Sequence, residues 1–146
     1  MKKMLLGLCA SLVLMAAGAE ELPWLTDVPK ALQEAKSGNK LVMLDFTGSD
    51  WCGWCIKLNK EVFSQPEFAD YAKKNLVLVE VDFPNKKQQT AELKKANQAL
   101  QDKYQIKGYP TLILLNKDGK QVGEMGYMPG GPKPFVAKLD EIKKQS

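Results

Sequence analysis

A nearly continuous apolar run, Lys40 to Thr47 (KLVMLDFT), is followed after the loop Gly48-Ser49-Asp50 by Trp51-Cys52-Gly53-Trp54-Cys55. Few folds accept that order. An apolar strand without alternation is buried on both faces, so the sheet that holds it needs helices on both sides. The residues from the cysteines to about Ser64 read as one of those helices, with the two cysteines a turn apart at its start. Thiol–disulfide exchange needs one accessible thiolate and a second thiol near enough to resolve the mixed disulfide. Free N–H groups and the helix dipole at Cys52 lower its pKa from about 8.5 toward about 7 or below. Cys55, one turn on, lies nearer the interior.

A CxxC pair also fits half of a zinc site or an inert structural disulfide. A tetrahedral zinc site needs four ligands, and the 146-residue chain has no histidine and only one further cysteine, Cys9. A structural disulfide across so short a loop constrains the unfolded chain little. The absence of histidine also excludes a Ser-His-Asp triad and a Cys-His pair. The formal charge is +4 and every basic residue is lysine. The lysines are scattered among acids, which describes a solvated surface and no nucleic-acid stripe.

Residues 1–19 read as a cleavable export signal. Lys2 and Lys3 precede an apolar run from Leu5 to Ala16, and Ala17-Gly18-Ala19 supplies the small residues before a cut. The run is short for a membrane span, which takes about 20 apolar residues. Cys9 sits within it after Leu8, where a lipoprotein would have a small residue. The predicted location is therefore exported, in the periplasm, with Cys52 and Cys55 as the two cysteines of the mature domain, residues 20–146. A disulfide between them is feasible in an oxidising compartment.

The rest of the chain is ordered as one α/β domain. Leu22 to Asp27 is an extended lead-in. Thr26 or Asp27 caps a helix with Pro29 in its first turn, and Gly38 stops it. Pro66 to Lys73 is a short helix, Asn75 to Phe83 a strand, and Lys86 to Tyr104 a helix by its apolar spacing. Gly108-Tyr109-Pro110 breaks the chain. Thr111 to Leu115 and Gln121 to Tyr127 form a hairpin around Asn116-Lys117-Asp118-Gly119, and Pro134 to Lys144 is an amphipathic helix. This order implies a mixed sheet covered by helices.

Two blocks resemble the thioredoxin family, in particular exported bacterial thioredoxin-like proteins. One is Leu44-Asp45-Phe46 with Trp51-Cys52-Gly53-Trp54-Cys55. The other is Ile106-Lys107-Gly108-Tyr109-Pro110-Thr111. The resemblance covers roughly residues 27–145. It implies a three-layer α/β fold with a central mixed sheet flanked by helices. It implies Cys52 as the attacking thiol, Cys55 as the resolving thiol, and a disulfide between them. Trp51, Gly53, Trp54, Tyr109 and Pro110 become the substrate-binding residues, with Pro110 cis and the Tyr109 backbone open to a substrate strand.

Asp45 matches the buried family carboxylate that helps deprotonate the resolving cysteine through water. The segment from Asp45 to Cys52 is one residue longer than is usual, so Asp50 is an alternative acid. Gly53-Trp54 departs from the Gly-Pro of ordinary thioredoxins, so the redox poise need not follow theirs.

The expected function is exported dithiol–disulfide exchange with protein thiols or disulfides, leaning to reductase or isomerase. A membrane or exported redox partner, a monomeric state, and no cofactor, metal or nucleic acid complete the expectation. The alternative is a binding module of the same fold that delivers peptide or metal without redox turnover.

Overall fold

The computed structural model describes residues 21–146, so the expected signal segment lies outside the described residues. In chain order the elements are β1 (Trp24–Leu25), α1 (Val28–Gly38), β2 (Leu41–Thr47), α2 (Gly53–Leu58), a π-helical turn (Asn59–Phe63), α3 (Pro66–Asn75), β3 (Leu76–Asp82), α4 (Ala91–Lys103), β4 (Thr111–Leu115), β5 (Gln121–Met125) and α5 (Pro132–Gln145). The strands form one sheet in the order β1-β3-β2-β4-β5. β1, β3 and β2 run parallel, and β4 and β5 continue the sheet antiparallel. The sheet is therefore mixed, as the resemblance implied.

All of β2 is buried, and its two faces feed two separate cores. Leu41 and Met43 pack with Leu58, Phe63, Phe68, Phe135 and Leu139 from the π turn and α2, α3 and α5. Val42, Leu44 and Phe46 pack with Ala31 and Ala35 of α1, with Leu100 of α4 against them. Side chains alternate across a strand, so Asp45 falls on the Leu41–Met43 face, beneath α2. Phe68 is fully buried and its ring lies 5.0 Å from Phe63 and 6.1 Å from Phe135. Phe68→Ala leaves a cavity between those rings, and urea unfolding is expected to show a loss of about 3–5 kcal/mol.

Several element ends differ from expectation, most of the larger shifts for a local reason. Asp27 caps α1 by accepting from the Lys30 N–H at 3.0 Å, but the left-handed residue that ends the helix is Asn39 (φ 51°), with Gly38 still helical. Asn tolerates this conformation because its short polar side chain can bond locally. The helix opened by the cysteines does not stay α-helical to Ser64. From Asn59 it widens into the π turn, closed by the Ser64 N–H donating to the Asn59 carbonyl at 2.8 Å. α4 starts at Ala91, five residues later than expected, because Thr90 caps it and Asp50 holds the preceding segment in a loop. Only Trp24 and Leu25 of the extended lead-in pair with the sheet.

Candidate active site

The site begins where β2 ends. Thr47 leads into a tight loop in which the Trp51 and Cys52 N–H groups both donate to the Gly48 carbonyl. A Cβ on Gly48 would collide with the Trp51 indole, so glycine is what lets that ring fold over the loop. The indole Nε1 donates to the Phe83 carbonyl at 2.7 Å, which ties the loop to the end of β3. Cys52 then caps α2 with extended backbone, and its Sγ accepts from the Cys55 N–H at 3.2 Å. Cys52 and Cys55 are joined by a disulfide, with Cα atoms 5.2 Å apart. Both sulfur residues are nearly buried, at 7% and 5% exposure.

The opposite wall is the loop before β4. The Tyr109–Pro110 peptide bond is cis. The Tyr109 carbonyl oxygen lies 3.7 Å from Cys52 Sγ. The tyrosine ring stacks on Phe83 at 5.3 Å and meets Trp51 edge-on at 5.9 Å. Its hydroxyl donates to Gln101 Oε1 of α4. Trp51, Tyr109 and Pro110 are thus brought together on one side of Cys52.

Trp54 and Gly53 lie on the outer side. Trp54 is 57% exposed and Trp51 46%. A side chain at Gly53 would meet open space. The Trp54 ring tilts against Tyr127 at 5.0 Å, and Lys57 Nζ lies over both rings at 5.1 and 5.3 Å. Tyr127 in turn donates to Glu61 at 2.6 Å. Trp54, Tyr127 and Lys57 thus form an exposed aromatic surface held in place by its own contacts.

Behind the disulfide lies a cavity of about 560 Å³ lined by Asp45, Thr47, Ser49, Cys55, Asn59 and Glu80, among others. Asp45 is only 7% exposed, and its Oδ1 has no hydrogen-bond partner among the described residues. Burial pushes its carboxyl up to about 8, helped by the charges of Glu80 and then Asp82. A carboxyl in that state carries a proton at neutral pH. Asp50, the alternative acid, is engaged with the backbone beyond β3. It accepts the N–H groups of Asn85, Lys86 and Lys87 at 2.7–2.9 Å, and those donors, Asn85 first, hold it below the usual carboxylate range.

Glu80 and Asp82 were not singled out from the sequence. The signal was present: in Leu76-Val77-Leu78-Val79-Glu80-Val81-Asp82 the acids share a parity with Leu76 and Leu78, and so share their face. Asp82 accepts the Ser49 N–H at 2.9 Å and the Ser49 hydroxyl. Among the described residues no group of three or more Cys, Asp or Glu is placed to hold a metal ion. Nor is any described helix long and apolar enough to cross a membrane.

Comparison with known proteins fits this geometry. A family model described as a thioredoxin-like domain matches residues 28–143. The disulfide bond reductase DsbH of Chlamydia pneumoniae is 40% identical over 126 residues, covering 86% of this chain and 75% of that protein. The thioredoxin-related protein DsbJ of the same organism is 33% identical over 108 residues, which is 74% of this chain but 31% of the longer relative. The solved structure of a DsbH oxidoreductase superposes with a TM-score of 0.81 at 39% identity, covering 88% of each chain.

Proposed function

The chain belongs to the thioredoxin-like family and is a protein-disulfide oxidoreductase; on that premise we propose that it works after export, as a reductase or isomerase of protein disulfides. The observation that carries this reading is the Cys52–Cys55 disulfide facing the Tyr109 carbonyl. Residues 1–19 are read as the export signal and 20–146 as the working domain.

In the reducing direction the Cys52 thiolate attacks a substrate disulfide. One substrate sulfur leaves as a thiolate and takes a proton from water. Cys55 then loses its proton to the ionised form of Asp45 through water, attacks Cys52 Sγ, and releases the second substrate sulfur as a thiolate. Two electrons pass from the dithiol to the substrate, and the enzyme is left as the disulfide. The Cys55 N–H aimed at Cys52 Sγ stabilises the thiolate form of Cys52 without any histidine. The exposed Trp51 and Trp54 rings receive the polypeptide that carries the substrate disulfide, and the backbone at Tyr109 pairs with it as an added strand. An exported or membrane-held dithiol protein returns the electrons.

The reductase lean rests on the Gly53-Trp54 dipeptide, which places no cation between the cysteines, and on the likeness to a disulfide bond reductase. The test is the reduction potential of the Cys52–Cys55 couple in glutathione buffers, together with dithiothreitol-driven reduction of insulin. A potential nearer about −270 mV than about −120 mV, with catalysed insulin reduction, is the expected result. A potential at the oxidising end, or no catalysis of insulin reduction, overturns it.

A further inference from the structure

Asp45 does not lie alone beneath the cysteines. In the parallel register of β2 on β3 it stands directly beside Glu80, and Thr47 stands beside Asp82. Parallel partners in adjacent strands present their side chains on the same face. Asp45, Glu80 and Cys55 all line the one cavity, and the buried Asp45 Oδ1 is unmatched there by any described donor. A buried carboxyl oxygen without a donor is costly unless the group holds a proton or shares one.

We propose that Glu80 is a positioning residue for the exchange reaction, acting on Asp45 by its charge across the cavity and so setting the pH at which Asp45 exchanges a proton with Cys55. The inference rests on the reading of Asp45 as the proton carrier for Cys55.

The step it controls balances as follows. A reductant thiolate attacks Cys52 Sγ, the Cys52–Cys55 bond breaks, and a new disulfide joins the reductant to Cys52. The electron pair leaves on Cys55 Sγ, which takes the proton from Asp45. In the opposite direction Cys55 returns that proton to the Asp45 carboxylate before attacking Cys52. Two carboxyls side by side in a poorly solvated place do not both ionise readily. An ionised Glu80 therefore keeps the proton on Asp45, ready for Cys55.

The other groups facing the pair set the background. Lys60 of the π turn lines the same cavity. Burial pushes Glu80 up and Lys87 beyond β3 draws it back toward its charged form, while Asp82, bonded to Ser49 and hydrogen-bonded with Glu80, adds negative charge that raises both acids. On the β4 side the neighbour of Asp45 is the apolar Leu112.

The test is carboxyl carbon NMR of the oxidised full-length protein across pH, paired with the pH dependence of its reduction by dithiothreitol. The reductant's own titration cancels when variants are compared as ratios. In the unsubstituted protein, the Asp45 and Glu80 signals are each expected to titrate in two coupled steps. Glu80→Gln should move the Asp45 midpoint, and the bend in the rate profile, down by about one pH unit. Asp45→Asn should remove the bend.

If Asp45→Asn leaves the profile unchanged, the role of Asp45 falls, and that of Glu80 with it. If Asp45→Asn removes the bend but Glu80→Gln moves neither midpoint nor profile, the role of Glu80 alone is overturned. Should Glu80→Gln fail to fold, a single uncoupled Glu80 titration in the unsubstituted protein overturns it equally.

Discussion

Cys52→Ser is expected to lower catalysed insulin reduction by roughly three orders of magnitude or more, to the rate of the dithiol alone. The hydroxyl of serine does not ionise near neutral pH and does not attack sulfur, so the first bond never forms. Cys55→Ser has a different signature. Its Cys52 still attacks, because the backbone N–H of residue 55, which donates to Cys52 Sγ, does not depend on that side chain. Without a resolving thiol the complex stalls, and mass spectrometry should find substrate linked to Cys52.

The asymmetry follows from position. Cys52 faces the Tyr109 carbonyl at the mouth of the site, whereas Cys55 lines the inner cavity with Asp45. Turnover surviving in Cys52→Ser but lost without trapping in Cys55→Ser would reverse the two roles.

How much of this was legible before the structure depended on how far the deciding contact lay along the chain. The hairpin at Asn116–Gly119 was legible because its bonds are local: Asn116 Oδ1 accepts the N–H groups of Asp118 and Lys120, and Gly119 takes φ 83°. The burial of β2 was legible because its apolar run needs no partner to be recognised. The late start of α4 was not, since it depends on Asp50 holding Asn85, Lys86 and Lys87 from some 35 residues away.

The extra residue between Asp45 and Cys52 left Asp45 and Asp50 as rivals in the sequence. Strand parity puts Asp45 on the face that α2 covers, while Asp50 bonds the backbone of residues 85–87. Glu80 needed more still. Its parity on β3 can be read locally, but its place beside Asp45 is a matter of β2–β3 register, which no local pattern specifies.

Asp45→Asn is expected to stabilise the oxidised protein at neutral and higher pH while slowing its chemistry. The folded carboxyl holds its proton up to about pH 8, against an ordinary value of 3.8. Between those values the unfolded chain binds fewer protons than the folded one, so stability falls as pH rises, by about 1.4 kcal/mol per unit from this residue. Below the lower value both states are protonated and the residue contributes no such loss. Asparagine cannot ionise, so the variant escapes the decline.

The gain read by urea unfolding is expected to be on the order of 4 kcal/mol at pH 7, less what the amide's own unmatched donor costs. It should vanish near pH 4. Glu80 and Asp82 are present in both proteins, so the comparison isolates Asp45. Equal stability of the two proteins at pH 8 would mean that Asp45 ionises freely when folded, and its role as proton donor to Cys55 would fail with it. A carboxyl that weakens the fold at neutral pH, in a strand otherwise made of Leu, Val, Met, Phe and Thr, has no packing reason to be there, and that supports the proposed role toward Cys55.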